Sequence, residues 1–226
     1  MSRTLDLLAG KQYLMFMESP HAYNLGFTSA SLRPELARIL AEYYRTIGDW
    51  AATKERVLAT NALQARNASS AVRLERELRR RLATLSEEQI RLLADAPAED
   101  RAAIAWLAAM KHSAFLFDFA AEVLREKLLL HDIVLRPSDY ERFVEEKSAE
   151  HPELARLTPS SKGKIRRVLM RMLAEAGILT GGSRREGTLG TIQRPVLSPP
   201  VLRSITADDR RWLAGFLVPD SEIETL

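Results

Sequence analysis

The residues best placed to do chemistry in this chain are cations. Lys164, Arg167 and Arg171 recur at i, i+3 and i+7, the spacing that stacks side chains on one face of an α-helix. Lys162 and Arg166 flank them, and Glu175 is the only acid between residues 161 and 176. Cations this close repel one another unless an anion lies between them. Arginine's planar fork suits bidentate contact to phosphate or to guanine edges, and the start of such a helix adds backbone N–H groups that also favour phosphate. Arg184 and Arg185 follow in the glycine-rich stretch 181–187. A second set, Arg73, Arg76 and Arg80, has the same spacing, with Arg66 ahead of it and Arg79 and Arg81 on its flanks. Both sets also fit a plainer reading, an ordinary solvated helix face. In the second set Glu75 and Glu77 are within pairing reach of neighbouring arginines, and some arginines have the acidic stretch 141–150 as a further partner. Read as functional, both sets point to the same chemistry: holding a polyanion, with no bond made or broken.

Other candidates carry less. Asp118, Glu122 and Glu126 are spaced at i+4 along one segment that also holds His112, a pattern able to bind metal or move protons. A di-metal bundle repeats Glu-x-x-His, which this chain lacks, and Arg125 and Lys127 are near enough to neutralise the acids. Structural ion pairs are the expectation there. The four histidines, His21, His112, His131 and His151, form no HExxH pattern, and the absence of cysteine excludes disulfides and thiolate metal sites. No GK[ST] follows the glycines and no GxSxG occurs. No catalytic residue, cofactor, metal or small-molecule substrate is therefore expected.

The elements that must position these cations read as helices. Of 226 residues 46% are apolar, which suffices for a sizeable core, and 33 basic against 30 acidic residues leave a net charge of only +3. Bulk charge this small argues nothing, so placement must carry the case. Apolar periodicity predicts a helix from Pro34 to about Gly48, another over 50–63, the basic helix over 70–85, and a short helix opened by a capping box from Ser86 to Gln89. Residues 98–130, apolar on all sides, predict one central core helix, and Trp50, Trp106 and Trp212 are expected in the core. Residues 135–139 read as a linker and helix start. A helix over 138–147, a short one over 151–157 and the cationic helix from Thr158 to Ala176 follow, with Gly177 as a stop. Residues 178–180 and 191–193 read as short strands around the 181–187 tip.

That order is the order of a winged helix-turn-helix. The expected fold is all-α: an extension (1–22), a helical bundle (23–134), a winged-helix-like unit with a short β-hairpin (135–202), and a C-terminal tail (203–226) with a short helix near 207–217. The charge-free run 102–110 is too short for a membrane span, which needs about 20 apolar residues. The N-terminus lacks a signal-peptide pattern. A cytoplasmic protein without a membrane partner is expected.

Several segments resemble the BrxA family of BREX phage-defence systems. They are residues 23–32 (YNLGFTSASL); 61–66 (NALQAR) with 69–82 (SSAVRLERELRRRL); Trp106-Leu107, Asp118-Phe119 and 122–127 (EVLREK); Asp139-Tyr140 with 151–154 (HPEL); and 157–165 (LTPSSKGKI), Val168-Leu169 and 176–179 (AGIL). Their order and spacing over roughly residues 23–202 carry the resemblance. It implies a protein that works with other BREX components in restricting phage, alongside methylation that marks host DNA. It also implies DNA binding, a likeness to NusB-like RNA-binding antitermination proteins, and no catalysis of its own. No binding residue is carried over from the family; the cations named above come from their spacing. The resulting expectation is a non-enzymatic, double-stranded-DNA-binding accessory subunit. Two alternatives stand beside it: RNA binding through the bundle and Arg66–Arg81, and a protein adaptor that offers its acidic run at Glu141, Glu145 and Glu146 to a basic partner.

Overall fold

A proline at the start and a glycine just past the end frame the first long helix, α1 (Pro34–Ile47). Gly48 takes φ 76° and donates its N–H to the Tyr44 carbonyl, the left-handed stop that glycine adopts at least cost. The computed structural model describes residues 22–183, 185 and 187–226; the expected extension, apart from residue 22, lies outside them, as does Arg184. Helix α2 (Trp50–Ala59) is capped by the Asp49 carboxylate on the Ala52 N–H. Helix α3 (Ala68–Leu82) is capped by Asn67 on the Ser70 N–H. Helix α4 (Glu87–Asp95) carries the capping box expected at Ser86 and Gln89, with both reciprocal bonds made.

The central apolar segment is not one helix. Helix α5 (Ala98–His112) buries Ile104, Trp106, Leu107 and Met110 completely, and then Ser113 turns extended, at φ −139° and ψ 103°. Its hydroxyl donates to the Asn24 carbonyl at 2.7 Å, tying the incoming chain to the break. Helix α6 (Ala114–Asp118), a π-helical segment (Phe119–Leu124) and α7 (Arg125–Leu129) continue the run. The wide π turn lies where Phe115 and Phe119 both meet the Phe143 ring, at 5.5 and 5.2 Å between centroids. All-round apolarity correctly implied burial but could not show that the chain would turn extended at Ser113.

A small three-stranded antiparallel sheet follows, built of β1 (Val134–Leu135), β2 (Leu179–Thr180) and β3 (Gly190–Ile192) in the order β1-β3-β2. Val134 pairs with Thr191, and Leu179 with Ile192. The β2–β3 hairpin is the one expected. Strand β1 begins ahead of the stretch read as linker, and two residues are too few to show an alternating pattern. Gly190 is required by its place in the hairpin: a Cβ there would sit 2.5 Å from the Gly181 carbonyl oxygen. Between β1 and β2 lie α8 (Pro137–Ser148), α9 (Pro152–Ala155) and α10 (Pro159–Glu175).

The C-terminal region departs from the single short helix expected near 207–217. It forms α11 (Pro199–Asp208), a 3₁₀ segment (Arg210–Phe216) and α12 (Asp220–Ile223). These elements pack back on the first half: Leu213 and Phe216 are buried, and the Trp106 indole N–H donates to the Gly215 carbonyl at 2.9 Å. Of the three tryptophans expected inside, only Trp106 is fully buried. Trp50 is half-buried and stacks on Tyr44, while Trp212 lies against Phe117 and under the Arg211 guanidinium. One continuous apolar cluster runs from Tyr23 through Leu40, Trp106, Leu135 and Leu169 to Val218.

Candidate nucleic-acid interface

Helix α10 buries Ile165, Leu169, Met172 and Leu173, and this fixes its rotation. Lys162, Lys164, Arg167 and Arg171 are exposed as a consequence, and Arg166 is half-buried. The Thr158 hydroxyl caps the helix on the Ser161 N–H at 3.2 Å. Two cations are engaged: Arg166 bonds Glu141 at 3.3 Å, and Arg171 lies 3.6 Å from Glu175. Among the described residues, Lys162, Lys164 and Arg167 have no carboxylate within 4.0 Å. Arg185 is exposed between β2 and β3.

On α3, Leu78 and Leu82 are buried while Arg73, Arg76 and Arg80 are exposed. The two flanking arginines are structural instead. Arg79 bonds the fully buried Glu75 at 2.7 Å. Arg81 is 2% exposed and bonds Glu77 at 2.9 Å. Its remaining donors reach the carbonyls of Ser31 (2.9 Å), Ala30 (2.8 Å) and Phe27 (3.1 Å). Burial pulls its pKa down and Glu77 pulls it up; a guanidinium stays charged in proteins regardless.

The same loop is held from its other side by Glu175 of α10. That carboxylate accepts from the Ser31 hydroxyl at 2.8 Å and the Leu32 N–H at 2.6 Å. Clamped between Arg81 and Glu175, the loop delivers Arg33 in the left-handed conformation (φ 51°, ψ 55°). Arg33 then joins Arg66, Arg73 and Lys164 around a cleft of about 600 Å³ whose rim includes Asn67 and Ser70. No acidic residue lines it. The two basic sets, far apart in sequence, thus meet at one concave surface. Arg33 was not singled out from sequence, since a lone arginine before a proline has no periodic partner. Arg76 and Arg80, exposed on the same helix as Arg73, do not line the cleft. The arrangement is chemically suited to an anion, and no residue of its lining is a nucleophile paired with a base.

The acids weighed for chemistry are engaged in ion pairs and hydrogen bonds, in part with the expected partners: Arg125 lies 3.9 Å from Glu126. Lys147, not Arg125 or Lys127, serves Glu122 (2.7 Å) and Asp118 (4.0 Å). Asp118 also accepts from the Tyr23 hydroxyl at 2.6 Å; burial and then Asp118 push that phenol's pKa well up. Arg125 pairs with Asp220, and Lys127 with Asp132 and Asp139. His112 lies 2.9 Å from the Asn24 amide, and burial pushes its pKa down. Among the described residues no group of three or more histidines and acids is arranged to hold a metal ion. None of their helices is long and apolar enough to cross a membrane.

The family model described as BrxA matches residues 21–209. The chain belongs to the BrxA family. Among curated BrxA relatives it is similar to BREX protein BrxA of Escherichia coli O9:H4 (strain HS), 32% identical over 149 residues, which is 66% of this chain and 70% of that protein. It is also similar to BREX protein BrxA of Bacillus cereus (strain H3081.97), 28% identical over 156 residues, 68% of this chain and 75% of that one. The fold resembles a crystal structure of an uncharacterized protein from Magnetospirillum magneticum, with a TM-score of 0.73 at 21% identity over 86% of this chain and 97% of that one. The BrxA match contains every residue around the cleft.

Proposed function

We propose that this BrxA protein is a non-enzymatic accessory subunit of a BREX system that binds double-stranded DNA in the cytoplasm. The observation that carries the reading is the set of three exposed cations, Lys162, Lys164 and Arg167, unpaired among the described residues, on a helix whose opposite face is locked into the core. Helices α8, α9 and α10 followed by the β2–β3 hairpin keep the order of a winged helix-turn-helix, in which the last helix enters the major groove. Arg166 and Arg171, engaged by Glu141 and Glu175, would contribute less than Lys162, Lys164 and Arg167. Arg184 and Arg185 would touch the adjoining backbone. Most contacts in such a footprint are to phosphate, so affinity is salt-dependent and sequence preference low.

The test is anisotropy of a labelled duplex against the protein across a salt series. Lys162→Ala with Arg167→Ala should weaken binding by about tenfold or more and flatten the log K against log salt slope by about 2. Unchanged affinity in a folded double variant overturns the reading. RNA binding remains the alternative, supported by the exposed row Arg73, Arg76 and Arg80 on α3; it requires a matched RNA to bind more tightly than the duplex. Exposed Glu145 and Glu146 on α8 suit a basic surface of another BREX component, which supports an adaptor role.

A further inference from the structure

We infer that the cleft between the α3 start and α10 is a binding site for a compact polyphosphate, such as a free nucleoside triphosphate or the phosphorylated end of a nucleic-acid strand. It is a different surface from the outer face of α10, with Lys164 common to both.

Four cations reach this cleft from three separate parts of the chain: Arg33 from the loop before α1, Arg66 and Arg73 from the start of α3 and the turn ahead of it, and Lys164 from α10. None of them is paired to a carboxylate among the described residues. Like charges gathered in a concavity raise one another's energy, because low-dielectric walls focus the field. An occupant with several negative charges in a small volume relieves that repulsion best. A volume of about 600 Å³ is the scale of small-molecule sites, roughly 300–1,000 Å³, and suits a nucleotide better than the convex, singly charged phosphates of a duplex backbone. The first turn of α3 opens on the cleft with no acid in it, so its dipole adds to the same field.

The site is also preorganised. Arg33 and Gln64, both in its lining, are non-glycine residues held at positive φ, 51° and 50°. Such conformations cost free energy and persist only where the surroundings enforce them. For Arg33 the enforcing groups are buried Arg81 on the carbonyls of the loop and Glu175 on its amides. A merely solvated basic face needs no such scaffold.

The experiment is calorimetric titration of the full chain with inorganic triphosphate at low ionic strength, followed by ATP and by duplexes carrying 5′-phosphate or 5′-hydroxyl ends. One-to-one binding of triphosphate is expected, weakened about a hundredfold by Arg66→Ala with Arg73→Ala, at about tenfold per charge-assisted contact. Arg76→Ala with Arg80→Ala removes the same charge from the same helix outside the cleft and should change little. Tighter binding of 5′-phosphorylated duplex, lost in the Arg66/Arg73 variant, assigns the strand end as the source. ATP binding with no effect of the duplex end assigns the free nucleotide. No triphosphate binding, or equal weakening by the two double variants, overturns the proposal. Lys162→Ala with Arg167→Ala tests the duplex footprint alone and should leave triphosphate binding intact, so the two readings fail separately.

Discussion

Arg80 and Arg81 are adjacent, have the same side chain, and end in opposite environments. Arg80 is exposed; Arg81 is 2% exposed and anchors a loop through three carbonyls while paired to Glu77. The difference was partly readable: Arg81 is three and seven residues past Leu78 and Leu74, on the apolar side of its helix, with Glu77 one turn back. What the sequence could not show is that the carbonyls of residues 27, 30 and 31 would arrive there. Arg81→Met leaves Glu77 buried without a partner and the carbonyls unserved. It should cost about 3–5 kcal/mol, read as a lowered urea midpoint, and it should loosen Arg33 in the cleft. A loss under 1 kcal/mol would show that water replaces the guanidinium at no great cost.

Among the elements, α10 was the most legible because three independent signals agreed: a Thr-Pro start, a 3.6-residue apolar stripe and a glycine after its end. The segment 98–130 was the least legible, because apolar residues on every side erase the periodicity that reveals where a helix breaks. Helix α10 also carries a correctable weakness. Gly163 lies in its interior, and a Cβ there would meet no atom within 4 Å. Gly163→Ala should stabilise the protein by about 0.5–1 kcal/mol by restricting the unfolded chain and favouring the helix. Thermal melting should show a rise of roughly 1–4 °C. A fall would overturn this reading of Gly163.

At the scale of the molecule, residues 23–134 and residues 135–202 share packing and polar ties. Phe143 meets Phe115 and Phe119, Tyr23 stacks on His151 at 3.7 Å, and Glu175 holds the loop before α1. With one apolar cluster running through both, heat should unfold the chain in a single cooperative step. Two resolved calorimetric transitions would show that residues 23–134 and 135–202 are independent units. By itself the sequence determined the helical class, the capping box at Ser86 and Gln89, the hairpin, and which cations of α10 face outward. All of these rest on contacts within a few residues, where spacing dictates geometry. Only the tertiary structure decided that Arg81 anchors the loop ahead of α1, that Lys147 serves Glu122 and Asp118, and that Arg33, Arg66, Arg73 and Lys164 share one cleft. Those outcomes depend on segments up to about 140 residues apart being brought together by burial, which is non-directional and leaves no local trace in the order of residues.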